Sequence, residues 1–342
     1  MKTWLCGMCV VSLVISILLS ACNNISERPQ VVVVYTSVDQ PFSEPILKAF
    51  QEQSGINVQA IYDVEAAKTS GLVNRLLAEK DRPKADVFWN SEIIQTIRLQ
   101  EADVLQPYIS SEARDIPEVF RHPAGYWSGN AVRARVILVN TDLVEDVEEI
   151  DSMEDLIDPR WSGEMIGIAY PLFGTTATHA AALYAELGRE DARAYFEELV
   201  DHGVQVVDGN SVVRDMVANG SLAFGFTDTD DACGALIKGA PVAIIFPDQN
   251  DLGTLVIPST VALIHGAPNP DQGKALIDFL LSTETEQDLI DSDFSHIPLH
   301  ADIRVSSSCI SDLEIHAMDV DFNRVFRYFD VAQTELKEVF LR

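Results

Sequence analysis

The sequence predicts an α/β protein built as two lobes. Three observations carry that reading. Between Val31 and Trp89 the chain alternates strand, helix, strand, helix, strand, the pattern of a parallel sheet with helical crossovers. A second series of the same kind begins after Tyr126. The 342 residues suffice for two domains at roughly 100–200 residues each, and no repeat, low-complexity tract or long linker separates the two series.

Taken in order, Val31-Val32-Val33-Val34-Tyr35 is an unbroken apolar run ending at Thr36-Ser37, as expected of a strand buried on both faces. Ser43-Glu44-Pro45 is read as the start of a helix with Ser43 as its cap; Ile46, Leu47 and Phe50 share one face, and Gly55 stops it. Ile56 to Tyr62 is a second strand, about Ala66 to Glu79 a helix, and Ala85 to Trp89 a third strand. Val132 to Asn140 is a long strand, and acidic Val144 to Asp158 is a loop and helix read as a solvated face. A strand over Met165 to Tyr170 leads through Pro171-Leu172-Phe173-Gly174-Thr175-Thr176 to helices over about Ala177 to Leu187 and Glu190 to Asp201. Val204 to Asp208 and Leu222 to Thr227 are strands around a helix at Ser211 to Ala218. Val242 to Phe246 and Thr254 to Ile264 are strands, Gln272 to Leu281 is an amphipathic helix, and the last forty residues alternate short helices and loops. Two lobes without a flexible linker imply a hinge of crossing strands. Ligands of such sheets bind beyond the carboxyl ends of the strands, so one cleft between the lobes is expected.

Composition narrows the function. With 24 Lys plus Arg against 53 Asp plus Glu the formal charge is −29, which repels phosphate backbones and argues against nucleic acid as a partner. A hydrophobic share of 47% excludes a disordered chain. No G-x-S-x-G elbow, H-E-x-x-H, Walker loop or G-x-G-x-x-G is present, so nothing points to an enzyme.

The N-terminus reads as an address. Lys2 precedes an apolar run from Trp4 to Leu19, the length of a signal-peptide core and short for a membrane span. It ends in Leu19-Ser20-Ala21-Cys22, which resembles the lipobox of bacterial lipoproteins; the resemblance implies cleavage after Ala21 and a lipid on Cys22. Residues 1–21 are then the signal and 22–30 a polar tether. Cys6 and Cys9 leave with the signal, and Cys233 and Cys309 remain, either as a disulfide or as two isolated thiols. Neither has the spacing of a zinc site.

Four segments resemble the bacterial extracellular solute-binding proteins of the ferric-ion-binding type. They are VVVVYTSVDQPFSEPILKAFQEQSGINVQAIYD, LVNRLLAEKDRPKADVFWNSE, MVANGSLAFGFTDTDDA and TLVIPSTVALIHGAPNPDQGKALIDFLLSTETEQ, in family order between about Val31 and Pro298. The resemblance implies a periplasmic-binding-protein type II (Venus flytrap) fold, with lobe one formed by 31–130 plus about 260–298 and lobe two by 131–259 plus about 299–342. It also implies an exported, lipid-anchored monomer that delivers its solute to an ABC permease and ATPase, with ferric iron and an accompanying anion as the cargo. A sensory lipoprotein or a secreted enzyme would be competing classes, and a small organic phosphate or phosphonate a competing solute.

The resemblance assigns the site residue by residue. Asp39 stands where iron-binding members carry a His, and Asp230-Asp231 stand where they carry an adjacent pair of tyrosines. That departure removes the phenolates, yet Asp39, Glu92, Asp230 and Asp231 are hard oxygen ligands suited to Fe(III). The same aspartates, with Asp228, are also placed to cap the following helix. Arg133 matches a position that holds the anion, its alternative being an ordinary strand Arg. Thr175 and Thr176 precede a helix, as Thr36 and Ser37 do, and offer hydroxyls and free amides to an anion; Asn210-Ser211 has the same logic. Asn90 and Ser91 end a strand at the expected cleft. Tyr35, Tyr170, Trp89 and Glu65 are lesser candidates, with packing preferred for Trp89. His296 and His300 are read as loop histidines, because Pro298 between them disfavours a helix.

Overall fold

The structure is a computed structural model that describes residues 30–63, 70–292, 297–303, 309–310 and 315–341. The signal, Cys6, Cys9, Cys22, Glu65 and His296 lie outside the described residues. Among the described residues ten strands form one continuous sheet: β1 (Val31–Thr36), β2 (Asn57–Tyr62), β3 (Val87–Asn90), β4 (Leu105–Gln106), β5 (Ser128–Asn140), β6 (Ile166–Ala169), β7 (Gln205–Val207), β8 (Phe224–Asp228), β9 (Val242–Ile245) and β10 (Val256–Ile264). Their order is β2-β1-β3-β10-β5-β8-β6-β7, with β4 paired to β10 and β9 to β5.

The helices are α1 (Gln40–Ser54), α2 (Ser70–Ala78), α3 (Ile94–Glu101), α4 (Gly174–Glu186), α5 (Arg189–His202), α6 (Asn210–Ala218), α7 (Thr229–Ile237), α8 (Pro270–Leu280), α9 (Thr283–Asp291) and α10 (Phe322–Phe340). β1 pairs in parallel with β2 and β3, and β6 in parallel with β7 and β8, so each end of the sheet is a βα unit. Two strands join the ends. Ser128 to Ala134 of β5 pair with β10, while Arg135 to Asn140 of the same strand pair with β8 and β9. β10 in turn reaches β3 through Thr260 to Leu263. These are the crossing strands, and every residue of both is buried.

Burial on both faces explains the runs without alternation. Val32 and Val34 enter one apolar cluster with Val136, Leu138 and Leu276, while Tyr35 enters the opposite one with Ile137 and Val139. Glycines let the helices close on the sheet. Gly167 and Gly225 are cross-strand neighbours, and a Cβ on Gly225 would lie 2.5 Å from Val213 Cγ1 of α6 and 2.8 Å from Gly167 O.

Several boundaries differ from expectation. α1 starts at Gln40, because Asp39 takes the N-cap position; the Ser43 hydroxyl turns back to the carbonyls of Val38 and Asp39, both at 3.0 Å. The acidic stretch yields only 3-10 turns at Val147–Glu149 and Met153–Leu156. α3 is absent from the expected elements, since Ile94, Ile97 and Leu99 are buried together with Gln95 and Thr96 and leave no amphipathic stripe. The chain ends in a single 19-residue helix, not in short pieces. Val325, Phe329, Ala332, Leu336 and Val339 form its buried stripe, which packs on α4, α5 and α3. No helix among the described residues is long and apolar enough to cross a membrane.

Cys233, inside α7, is bonded to Cys309 with 5.6 Å between the Cα atoms, which decides between the two readings of these cysteines. The bridge fixes α7 to a segment far along the chain. Replacing both cysteines by Ser is expected to lower the unfolding free energy by roughly 2–4 kcal/mol. Urea unfolding of the oxidised wild type and the double variant measures this, and coincident midpoints would contradict it.

Candidate functional site

Between the two ends of the sheet lies a cavity of about 560 Å³. Asp39, Pro41, Phe42 and Ser91 line it from one side, and Arg133 of β5 lines it from the crossing strands. From the other side come the first turns of α4 (Gly174, Thr175, Thr176), α6 (Asn210, Ser211) and α7 (Asp230, Asp231), with Tyr170, Asp208, Arg214, Asp228 and Lys238. α4 and α6 carry no acidic residue in the first turn, and their cap residues Phe173 and Gly209 make no side-chain cap bond. Their amide ends are therefore positive ends of helix dipoles at the cavity wall.

One buried ion pair organises this wall. Antiparallel pairing of β5 with β8 sets Arg135 directly opposite Asp228. Arg135 Nη1 donates to Asp228 Oδ1 at 2.5 Å, with the two side chains 1% and 2% exposed. The same guanidinium reaches Thr175 Oγ1 at 3.3 Å, Thr176 Oγ1 at 3.3 Å and Asn210 Oδ1 at 3.2 Å. Asp228 Oδ2 accepts from Thr175 Oγ1 at 2.6 Å and Asn210 Nδ2 at 2.9 Å. Arg135 also lies 4.3 Å from the centroid of the Phe226 ring. The pair thus fastens the N-termini of three helices to one strand. Burial alone would raise the Asp228 pKa, but Arg135 and Arg133 outweigh it and hold the carboxyl below its ordinary value.

Arg133, two residues earlier on the same face of β5, serves the cavity itself. Its Nη2 donates to Ser91 O at 2.6 Å and its Nη1 to Asp230 Oδ2 at 3.0 Å, with Asp228 Oδ2 at 3.6 Å. Burial opposes its charge, yet Asp230 and Asp228 leave its pKa raised. Asp230 Oδ1 is buried with no hydrogen-bond partner among the described residues. Asp231 pairs with Arg214 Nη1 at 2.8 Å.

The structure thus brings together Asp39, Ser91, Arg133, Thr175, Thr176, Asp230 and Asp231 of the expected set. It does not bring Glu92 to the cavity. That carboxylate is fully buried and accepts from Ile94 N at 2.7 Å, Gln95 N at 2.9 Å and Thr178 Oγ1 at 2.9 Å. Burial raises its pKa despite these bonds, and the carboxylate holds the first-turn amides of α3 and ties that helix to α4. Thr36, Ser37 and Asn90 also stand behind the wall. Thr36 Oγ1 accepts from Val38 N at 3.1 Å, Ser37 Oγ donates to Asn90 Oδ1 at 2.6 Å, and Asn90 Nδ2 donates to Thr96 Oγ1 at 3.0 Å. Thr175 and Thr176 line the cavity, but their hydroxyls are engaged by Arg135 and Asp228. Asp228 occupies the N-cap position of α7 without a side-chain cap bond, because Arg135 takes its carboxylate. Among the described residues no three His, Cys, Asp or Glu side chains are gathered as a metal centre, so the four-carboxylate set Asp39, Glu92, Asp230 and Asp231 is not assembled.

Tyr35 is likewise remote, its Oη donating to Glu79 Oε2 at 3.0 Å, whereas Tyr170 lines the cavity. Trp89 is fully buried and donates Nε1 to Asn130 Oδ1 at 3.1 Å, the packing role expected of it. His300 lies in a turn and bonds the buried Glu286. Sequence reasoning missed Arg135, Arg214, Asp208 and Lys238. The spacing Arg133-x-Arg135 in a strand is a legible signal, because period 2 sends both to one face.

Two tests follow from this ion pair. Arg135→Met should destabilise the protein by roughly 3–5 kcal/mol, and combining it with Asp228→Leu should cost much less than the sum of the single changes. A double-mutant cycle by urea unfolding measures the coupling, and strict additivity would remove the pair from its organising role. His179 packs beside it, its ring centroid 4.8 Å from that of Phe226. Burial, then the Arg135 charge, lower its pKa to about 3. The unfolded chain takes up this proton near pH 6.5 and the native state does not, so stability is retained above pH 6.5 and lost as pH falls toward 3, by about 1.4 kcal/mol per pH unit. His179→Gln should flatten that slope in unfolding measured from pH 7 to 4.5; parallel curves would refute it.

The sequence profile described as bacterial extracellular solute-binding protein matches residues 83–322. Iron uptake protein A1 of Synechocystis is 27% identical over 315 residues, covering 86% of this chain and 85% of that protein. A putative 2-aminoethylphosphonate-binding periplasmic protein of Salmonella typhimurium is 24% identical over 265 residues, covering 75% of this chain and 74% of that protein. Among solved structures, the ferric binding protein from Campylobacter jejuni superposes with a TM-score of 0.82 at 23% identity, covering 90% of this chain and 99% of the other. A Trichodesmium protein in complex with iron and citrate ligands superposes with a TM-score of 0.77 at 23% identity, covering 91% and 100%. These likenesses show the fold, a periplasmic-binding-protein type II architecture in which two α/β lobes meet across crossing strands. The matched profile spans most of the chain, from just before β3 to the start of α10, and the protein belongs to the bacterial extracellular solute-binding protein family.

Proposed function

We propose that the protein captures ferric iron together with an oxygen-rich anion in the interlobe cavity and delivers it to the permease of an ABC importer. The observation that carries this reading is that one cavity holds both halves of the required chemistry. Arg133 and the amide ends of α4 and α6 suit an anion. Asp39 and the unpartnered Oδ1 of Asp230 suit a hard cation. An anion that itself donates oxygens to the metal supplies what an adjacent tyrosine pair would otherwise give. The iron and citrate of the Trichodesmium protein support such a pairing.

Capture is hinge closure. Lobe one comprises 31–130 plus about 260–298, lobe two comprises 131–259 plus about 299–342, and ligand contacts from both favour the closed form by their difference in affinity for the two states. The protein binds and does not turn over its solute. It is exported, held to a bacterial membrane by a lipid on Cys22, and the energy for transport comes from a separate ATPase.

A second reading is favoured by the engagement of Asp230 with Arg133 and of Asp231 with Arg214. A small zwitterion with an anionic head and an ammonium group would meet the same charges without a metal, as the putative 2-aminoethylphosphonate-binding relative suggests.

Native mass spectrometry with elemental analysis separates them. Purified protein given ferric citrate is expected to carry about one iron per chain, and Asp230→Asn with Asp231→Asn, or Arg133→Gln, to weaken uptake by a factor of roughly 30 or more. An iron-free protein that binds 2-aminoethylphosphonate would replace the first reading with the second.

A further inference from the structure

A second cavity, of about 380 Å³, lies away from the interlobe site and shares no lining residue with it. It falls within the roughly 300–1,000 Å³ typical of small-molecule pockets. Its walls come from the loop after β4, the loop before β5, the end of β10 and the face of α8. Three aromatic rings, Tyr108, Tyr126 and Trp127, line it together with Arg114 and Arg121. No carboxylate is among the lining residues, in a chain whose formal charge is −29.

The walls are held in place. Tyr108 Oη donates to Asp278 Oδ2 at 2.8 Å, and Trp127 Nε1 donates to Gln100 Oε1 at 3.1 Å, so both rings are fixed by bonds outside the lining. Gly125 has φ +77°, and a Cβ there would lie 2.9 Å from the Tyr108 carbonyl oxygen, so the two loops approach as only glycine allows. Arg121 Nε donates to Ile116 O at 2.8 Å, which orients the guanidinium; Glu118, 3.8 Å from its Nη2, is 95% exposed and held weakly. Independently, Ser128 is 7% exposed, lines the cavity, and its Oγ has no hydrogen-bond partner among the described residues. A buried hydroxyl left unpaired costs free energy that a polar ligand atom would recover.

We propose that this cavity is a second binding site, for a small aromatic carboxylate. The ring lies among Tyr108, Tyr126 and Trp127, where offset or edge contacts are favourable. The carboxylate meets the Arg121 fork, with Arg114 adding charge and the Ser128 hydroxyl donating to an oxygen. Binding here is independent of solute capture between the lobes.

Benzoate is the probe, with benzyl alcohol as the ring without the charge and acetate as the charge without the ring. Calorimetry and tryptophan fluorescence on the purified protein should show one saturable site, with benzoate at least about tenfold tighter than either control. Arg121→Gln should weaken benzoate by about tenfold and Arg121→Lys by less, while Ser128→Ala, which removes only the orphan hydroxyl and leaves the fold intact, should weaken it severalfold. Arg133→Gln, in the interlobe cavity, should leave benzoate affinity unchanged. The proposal is overturned by the absence of saturation up to about 10 mM, by benzyl alcohol binding as tightly as benzoate, or by loss of binding in Arg133→Gln.

Discussion

The buried pair of Arg135 and Asp228 is the constraint on which the rest of the site depends. Two charges removed from water are tolerated only when most polar atoms around them find partners, and here Thr175, Thr176 and Asn210 bond the pair, leaving Arg135 Nε without a partner among the described residues. Those partners belong to the first turns of α4 and α6, while Asp228 immediately precedes α7. Satisfying the pair therefore points three helix ends at one place. The glycine pair Gly167 and Gly225 permits α6 to come close enough for Asn210 to join. Site geometry is a consequence of core electrostatics rather than of the loops alone.

Charge is divided within this site. Asp228 is committed to structure, as is Glu92 on the other side of the cavity, where it holds the first-turn amides of α3 and bonds Thr178 of α4. Asp230 and Asp231 remain at the cavity, each balanced by one arginine. A bare cation would have to compete with those arginines, whereas a cation arriving with its own anion allows Arg133 to exchange Asp230 for the ligand. In the capture proposed above that exchange would fall to Arg133, because it already bonds both Ser91 and Asp230 from opposite walls of the cavity. The disulfide at Cys233 adds a fixed point to the helix that carries both aspartates.

Much of this architecture is legible in the chain itself. The apolar runs of β1 and β10, the helix stripe of α1 and the two βα series specify a sheet covered on both faces, because only burial on both sides tolerates strands without polar alternation. The stripe of α10 is equally present at helical spacing, yet the polar residues between its apolar positions make it resemble short helices broken by loops. The acidic stretch from Val144 to Asp158 differs only in its backbone: it forms 3-10 turns in which Asp146 and Asp155 bond local amides, while Glu145, Glu148, Glu149, Asp151 and Glu154 are exposed to solvent as expected.

The sequence by itself determined the fold class, the two-lobe organisation and which short segments reach the cleft, since hydrophobic periodicity and turn chemistry are local properties of the chain. The resemblance to the ferric-ion-binding family, carried residue by residue, pointed to Asp39, Arg133, Asp230 and Asp231, which line the cavity. Only the tertiary structure decided which of the acids face the cavity and which are consumed by the fold. Whether a carboxylate is a cap, a partner of a buried arginine or a ligand depends on what lies opposite it, and opposition is set by strand register. Arg135 faces Asp228 across β5 and β8 though 93 positions separate them, and no local pattern encodes that distance.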